Sequence, residues 1–302
     1  MWIKEPGVIN EQLEYFGEFE LCCYLLKGEK YMFIGGAMSY IVPQVLEQLN
    51  ERGIDTGRIK RYLILHSHYD HCGAVPPLKK KFPHIKVVAS PRAKEIYAKE
   101  KAIKFIRDMN RGELEKHAMT EDWGPVHLGF DGIQVDESVT EGDVIDLGKG
   151  VTVEILAMPG HSSCAIAAYV PGIKTLFGTD AAGIPDRHGN IFPAGNEDYL
   201  QFQRSQSRLK DYPLEIVCAP NHGVFAGEDA GNFITKAIDS TESFRLKMLA
   251  TYRNTGDIEK TTELVTDEHL SQSGEGVVPK EIMQALIRSM VKNVVAGEES
   301  GG

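Results

Sequence analysis

Leu65-His66-Ser67-His68-Tyr69-Asp70-His71-Cys72-Gly73 places three imidazoles and one carboxylate within six positions. The stretch follows Tyr62-Leu63-Ile64-Leu65, an apolar run that reads as a buried strand. A tight loop at a strand end is a rigid place to hold metal ligands. His66 and His68 are two apart, so they point the same way from an extended backbone. Asp70 and His71 fall where the chain turns and can face a second point beside the first. One loop can therefore serve two neighbouring cations. A single histidine beside a strand is ordinarily a satisfied polar side chain, but this density of nitrogen and oxygen donors has no packing rationale.

Outward from this loop the chain reads as α/β. Glu20–Leu26 and Tyr31–Ile34 flank Lys27-Gly28-Glu29-Lys30 as a hairpin, and Pro43 opens a helix over 43–52. A helix is expected near 74–81 and a strand at 85–89. Ser90 as N-cap and Pro91 then start a helix carrying Ile96, Ile103 and Ile106 to about Arg111-Gly112, with a short helix over 113–119. Residues 120–142 look irregular. Strands are expected at 144–147, 151–157, 164–170, 174–177 and 214–218, with a helix at 198–210 between the last two. After Gly227 the pattern is helical: Ile234, Ile238, Thr241 and Met248 share one face, and Ile282, Leu286, Met290 and Val294 share another behind Pro279. A weaker helix is expected at 257–269, before a linker at 271–276.

Composition narrows the function classes. The 302 residues are 42% hydrophobic and 25% charged, ordinary for a soluble protein that buries a core without disulfides. A formal net charge of -10 repels polyanions, so no nucleic-acid partner is expected. The basic runs at Lys79-Lys80-Lys81 and Lys99, Lys101, Lys104 and Arg107 read as solvated helix faces. Five cysteines, two adjacent and none in a Cys-x-x-Cys pair, suit a reducing cytoplasm rather than a disulfide framework or a thiolate zinc site. Cys72 is the one that abuts the histidine loop. No run of about 18 apolar residues appears, so no membrane span is expected.

His66-x-His68-x-Asp70-His71 resembles the signature of the metallo-β-lactamase superfamily. The resemblance covers about residues 20–225. It implies a four-layer αββα sandwich and three further ligands at strand ends. His161 after Pro159-Gly160, Asp180 in Gly178-Thr179-Asp180, and His222 in Pro220-Asn221-His222-Gly223 match those positions. The resemblance implies that His66, His68 and His161 hold one metal, that Asp70, His71 and His222 hold a second, and that Asp180 bridges both. Asp70 would also be a candidate proton acceptor. The metals would be zinc or iron, with manganese acceptable to the same donors. Asn221 departs from the small Gly or Ser usual before the last histidine.

Within the superfamily the chain is similar to the thioesterase-like branch of quinolone-signal response proteins. Ile34-Gly35-Gly36 stands where most relatives carry Asp-Thr-Gly, and the helical tail is shared. That likeness implies a metallo-β-lactamase-like domain over 1–227 with a helical, lid-like insertion at about 91–120. A helical extension over 228–295 and a disordered tail over 296–302 would follow.

The implied function is hydrolysis. A metal-bridging hydroxide would attack a small acyl substrate, such as a thioester, ester or lactone. Ser162, Asn221 and His188 are candidate substrate contacts, and a homodimer is compatible with the sequence. A phosphodiesterase or nuclease on the same metals would need a basic stripe that the sequence lacks. A redox role like that of the diiron flavoproteins would need a flavin domain, and those proteins tend to carry Glu where His68 stands. A partner-binding regulator on a hydrolase scaffold is the remaining alternative.

Overall fold

The computed structural model describes residues 1–273 and 280–301. They form two compact units. The first holds residues 1–157, 164–179 and 213–231. The second holds residues 158–163, 180–212 and the described residues from 232 onward.

Strands of the first unit follow in chain order: β1 (Trp2–Ile3), β2 (Gly7–Val8), β3 (Leu13–Gly17), β4 (Cys22–Lys27), β5 (Tyr31–Ile34), β6 (Ile59–Leu63) and β7 (Lys86–Ala89). Then come β8 (Glu137–Ser138), β9 (Val144–Asp146), β10 (Thr152–Ala157), β11 (Ile166–Val170), β12 (Thr175–Phe177), β13 (Ile216–Cys218) and β14 (Val224–Ala226). Two seven-stranded sheets result, in the orders β8-β7-β6-β5-β4-β3-β2 and β1-β14-β13-β12-β11-β10-β9. The β5-β6, β6-β7 and β7-β8 pairs are parallel, as is β12-β13.

The sheets face each other. Leu13, Tyr15, Leu26, Ile34 and Leu63 of one pack with Val153, Ile155, Ala168, Phe177 and Val224 of the other in one buried cluster. The opposite face of the first sheet carries Phe16, Cys23, Leu25, Phe33, Tyr62 and Val87. Both of its faces are covered, which is why Cys22-Cys23-Tyr24-Leu25-Leu26 is buried without alternation.

Helices α1 (Val42–Glu51), α2 (Val75–Lys81), α3 (Pro91–Tyr97) and α4 (Glu100–Lys116) cover that outer face through Val45, Leu49, Leu78, Ala93, Ile106 and Leu114. Pro43 sits in the first turn of α1, and the Ser90 hydroxyl accepts from the Ala93 amide at 3.2 Å to cap α3. The single helix expected from Ser90 to Gly112 is instead two. It breaks at Ala98-Lys99, where Lys99 is extended, and α4 runs through Gly112 to Lys116. Ile106, Asn110 and Leu114 recur at i, i+4 and i+8 on its buried face, and that burial carries the helix past the glycine. Through Ala93, Tyr97, Ile106 and Leu114 the helices of the 91–120 segment join the core layer on the first sheet. Residues 120–142, expected to be irregular, contain the short pairing of Asp122–Trp123 with Val126–His127 and bury Leu128 and Phe130.

The second unit contains α5 (Tyr199–Arg208), α6 (from Glu228 to Thr255, its first turn in the first unit), α7 (Ile258–Ser273) and α8 (Lys280–Gly301). Tyr199 of α5 is buried among Met248, Val265, Ile287, Met290 and Val294, and its hydroxyl donates to the Thr241 carbonyl at 2.8 Å. The helices after residue 227 therefore do not pack as a separate extension. They share their core with residues 180–212. The described part of the tail expected to be disordered is helical to Gly301, and Glu298 there pairs with Arg253 at 2.6 Å. Of the linker expected at 271–276, residues 271–273 end α7; residues 274–276, and Pro279, lie outside the described residues. Among the described residues no helix is long and apolar enough to cross a membrane.

Two glycines should respond oppositely to alanine. A Cβ on Gly36 would meet the His71 carbonyl oxygen at 1.8 Å, whereas one on Gly112 meets nothing within 4 Å. Urea unfolding should show Gly36→Ala destabilised by more than about 2 kcal/mol, by displacement of the histidine loop. Gly112→Ala should be stabilised by up to about 1 kcal/mol, by helix propensity alone.

Candidate metal centre

Beyond β6 the backbone stays extended for two residues. The Ile64 amide donates to Val88 O at 2.9 Å, and Leu65 O accepts from the Ile166 amide at 2.9 Å. The first bond belongs to the first sheet and the second reaches β11 of the other. The histidine loop therefore springs from a point held by both sheets. His66 and His68 lie with ring centroids 4.8 Å apart, and His66 and His71 4.4 Å apart. A single 3-10 turn at Tyr69–His71 brings Asp70 Oδ2 within 3.0 Å of His71 Nε2. Candidate ligand atoms of His66 and His68, and those of Asp70 and His71, lie within 4.8 Å of each other in each pair.

The loop is shaped by residues that carry no motif signal. Asn110 of α4 is buried; its Oδ1 accepts from the Ser39 amide at 3.1 Å, and its Nδ2 donates to Ile106 O at 3.0 Å. A Cβ on Gly73 would sit 2.0 Å from that Oδ1. Gly36 on one side and Asn110 on the other leave the loop a single course. Thr179 Oγ1 lies 3.0 Å from His66 Nδ1 and orients the ring so that Nε2 is the nitrogen for a metal.

In the second unit, His161 Nδ1 donates to the Ala194 carbonyl at 2.7 Å. That bond sets the tautomer and leaves the lone pair on Nε2, which lies 3.3 Å from Asp180 Oδ2. Gly160 precedes His161 at φ +123°, and a Cβ there would meet the Phe202 amide nitrogen at 2.3 Å. Only glycine fits. Along the chain, Asp180 is bonded directly to Thr179, the residue that touches His66.

His222 belongs to neither of the close pairs in the first unit. It sits at φ +62°, left-handed for a residue with a Cβ, and its ring meets Phe19 edge-on at 5.0 Å. Its amide donates to Phe19 O and its carbonyl accepts from Trp2 Nε1, both at 2.7 Å. Neither Trp2 nor Phe19 stands out in the sequence as a site residue.

The candidate substrate residues fare differently. The Asn221 side-chain amide donates to Glu20 O at 2.9 Å. His188 is exposed in the turn of the Ile184–Pro185/Ile191–Phe192 hairpin, with its amide bonded to Asp186 Oδ1. Ser162 is buried. Cys72, although it abuts the loop, is fully buried, and burial pushes its thiol well above the ordinary range. It is a small hydrophobe there. His84, His117 and His127 meet Thr56 O, Glu113 O and Asp122 Oδ1, and His269 packs on Phe192.

The family model described as the metallo-beta-lactamase superfamily matches residues 23–222. The chain belongs to this superfamily. Its α/β fold is of that type, with an added C-terminal helical region. A motif mutant of a metallo-β-lactamase from Cronobacter sakazakii superposes with a TM-score of 0.60 at 22% identity, over 83% of this chain and 99% of that one. An archaeal superfamily protein from Sulfolobus tokodaii gives 0.58 at 18% identity, over 95% and 99%. A subclass B3 enzyme of Bradyrhizobium japonicum gives 0.57 at 22%, over 84% and 96%. In sequence, a putative diflavin flavoprotein of Thermosynechococcus vestitus is 27% identical over 161 residues. That match takes in 53% of this chain but only 23% of the flavoprotein, so the chain spans under a quarter of that relative.

The donor set itself fits the superfamily's metals. Neutral imidazole and carboxylate suit zinc, iron or manganese, and two of the histidines have their second nitrogen engaged. Thr179→Val should weaken metal binding by about tenfold or more in a chelator competition, with little change in unfolding midpoint. Burial raises Cys22 to about 11 and Cys23 to about 12, and Cys72 and Cys218 rise as well. A raised folded-state value means the stability is present at neutral pH and lost as pH climbs past the unfolded thiol value, roughly 8.5. Denaturation midpoints should therefore hold to about pH 8 and fall above it. The native thiols should stay unreactive to a disulfide reagent until unfolding.

Proposed function

We propose that this protein is a metal-dependent hydrolase of small acyl substrates: thioesters, esters or lactones. The seven ligands would be His66, His68, His161 and Asp180 for one ion and Asp70, His71, His222 and Asp180 for the other. The observation that carries the reading is the orientation of the donors. His161 is fixed by Ala194 O and His66 by Thr179, so both present Nε2.

When bound, two divalent ions supply a water-derived nucleophile at neutral pH and polarise the scissile carbonyl. The chain's own residues do the rest. The Asp70 side chain is 29% exposed, reachable from solvent, and its Oδ2 lies beside His71, so it can accept the proton released as the nucleophile forms. Tyr69, half-buried next to it, meets the exposed Phe105 ring edge-on at 6.0 Å. Together they give the loop an apolar flank suited to an acyl chain. The net charge of -10 disfavours RNA and DNA. The five cysteines are buried thiols, which supports a reducing cytoplasm.

The flavoprotein match favours one second reading, electron transfer at the same metals. Side-by-side assays separate the two. Metal-loaded protein should turn over an acyl thioester, an ester or a lactone in preference to a chromogenic phosphodiester. Asp180→Ala should lose at least about a hundredfold of that rate along with bound metal. Absence of acyl turnover in a fully metallated sample would overturn the hydrolase. Flavin absorption bands in the purified protein would favour the redox reading.

A further inference from the structure

We propose that Trp2 is a positioning residue for His222, and that with Phe19 it forms a clamp holding the last candidate ligand in its metal-binding pose. The inference rests on the ligand assignment above and adds what sets that ligand's geometry.

His222 lies in the loop joining β13 to β14, in a left-handed backbone conformation that a residue with a Cβ rarely adopts. Such a conformation persists only where surrounding contacts over-determine it. Here the contacts fall on both backbone polar groups of the one residue. Phe19 O accepts from its amide at 2.7 Å, and the Trp2 indole N–H donates to its carbonyl at 2.7 Å. With both ends pinned, the Cα–Cβ direction is set, and the Phe19 ring limits the imidazole's rotation from the side.

The clamp is itself braced. Trp2 pairs across the sheet with Phe225 and stacks on it at 5.3 Å and 14°. The Lys4 ammonium lies 3.9 Å from the centre of the indole. Gly223 makes room for β1, since a Cβ there would meet Ile3 O at 2.2 Å. From the other sheet, the Tyr24 hydroxyl reaches Gly223 O at 3.1 Å, and the Cys22 amide donates to Pro220 O at 3.0 Å. Trp2 donates to the His222 carbonyl, and the indole combines a broad stacking ring with an N–H that is donor only.

The test is stepwise metal titration, by chelator competition and elemental analysis, of the full chain and of Trp2→Phe, Trp2→Ala and His222→Ala. Thermal unfolding of each variant runs alongside. Trp2→Phe keeps the stack on Phe225 and removes only the N–H. The expected result is that His222→Ala loses one metal equivalent and Trp2→Phe weakens that same equivalent by about tenfold, with the other equivalent and the melting temperature unchanged. Trp2→Ala should weaken it further. If His222→Ala loses an equivalent while both Trp2 variants bind like the parent, the clamp is wrong and the ligand assignment stands. Should Trp2→Phe weaken both equivalents alike with a lowered melting temperature, the residue is merely structural and the proposal falls. Two full equivalents in His222→Ala would sink the ligand assignment itself, and the clamp with it.

Discussion

Taking imidazoles and carboxylates out of water is costly unless each polar atom is bonded or charge-balanced. His66, His71, His161, Asp180 and His222 are all buried, so this cost governs the architecture around them. The answer is a set of short, specific bonds from residues with no chemistry of their own. Thr179 meets the His66 ring and the Ala194 carbonyl meets the His161 ring, while the Phe19 carbonyl and Trp2 indole hold the His222 main chain in place. Within each unit a close pair, Asp70 beside His71 and Asp180 beside His161, offers donors of the kind a metal ion balances.

The course of the chain reflects the same constraint. It leaves the first compact unit after residue 157 and returns at 164, and His161 lies in that short excursion. It leaves again after Thr179, and Asp180 is the first residue beyond. Two of the candidate ligands therefore sit where the polypeptide passes from one body of packing to the other. Irregular backbone at such points frees side chains from the ladders on either hand. Gly160 at φ +123° is one local device that makes such a passage possible.

The strand ends and their histidines were legible because the signal is local. Alternation fails in β4 and an apolar run replaces it, as a strand buried on both faces requires; β6 carries Lys60 and Arg61 before the apolar run that leads into the loop, and the ligand spacing lies within a few residues. Ser90-Pro91 marked a helix start by cap chemistry alone, and the structure has that cap. The helix over 100–116 runs through Gly112, because a glycine's weak helix propensity is a small term beside burial of Ile106, Asn110 and Leu114. The amide of Asn221 serves the Glu20 carbonyl, a partner 201 positions away that no local pattern announces.

By itself the sequence determined the superfamily and the succession of most strands along the chain, and it nominated the donors, since all of these depend on residue type and near-neighbour spacing. Tertiary structure alone decided how the helices after residue 227 pack, because Tyr199 enters their core from α5. It decided too that the 91–116 helices belong to a core layer. And it decided which residues orient the ligands: Asn110, Thr179, Trp2 and Phe19 act through bonds to residues far away in the chain. No local pattern encodes such partners, because each bond exists only once segments distant in the chain have folded against one another.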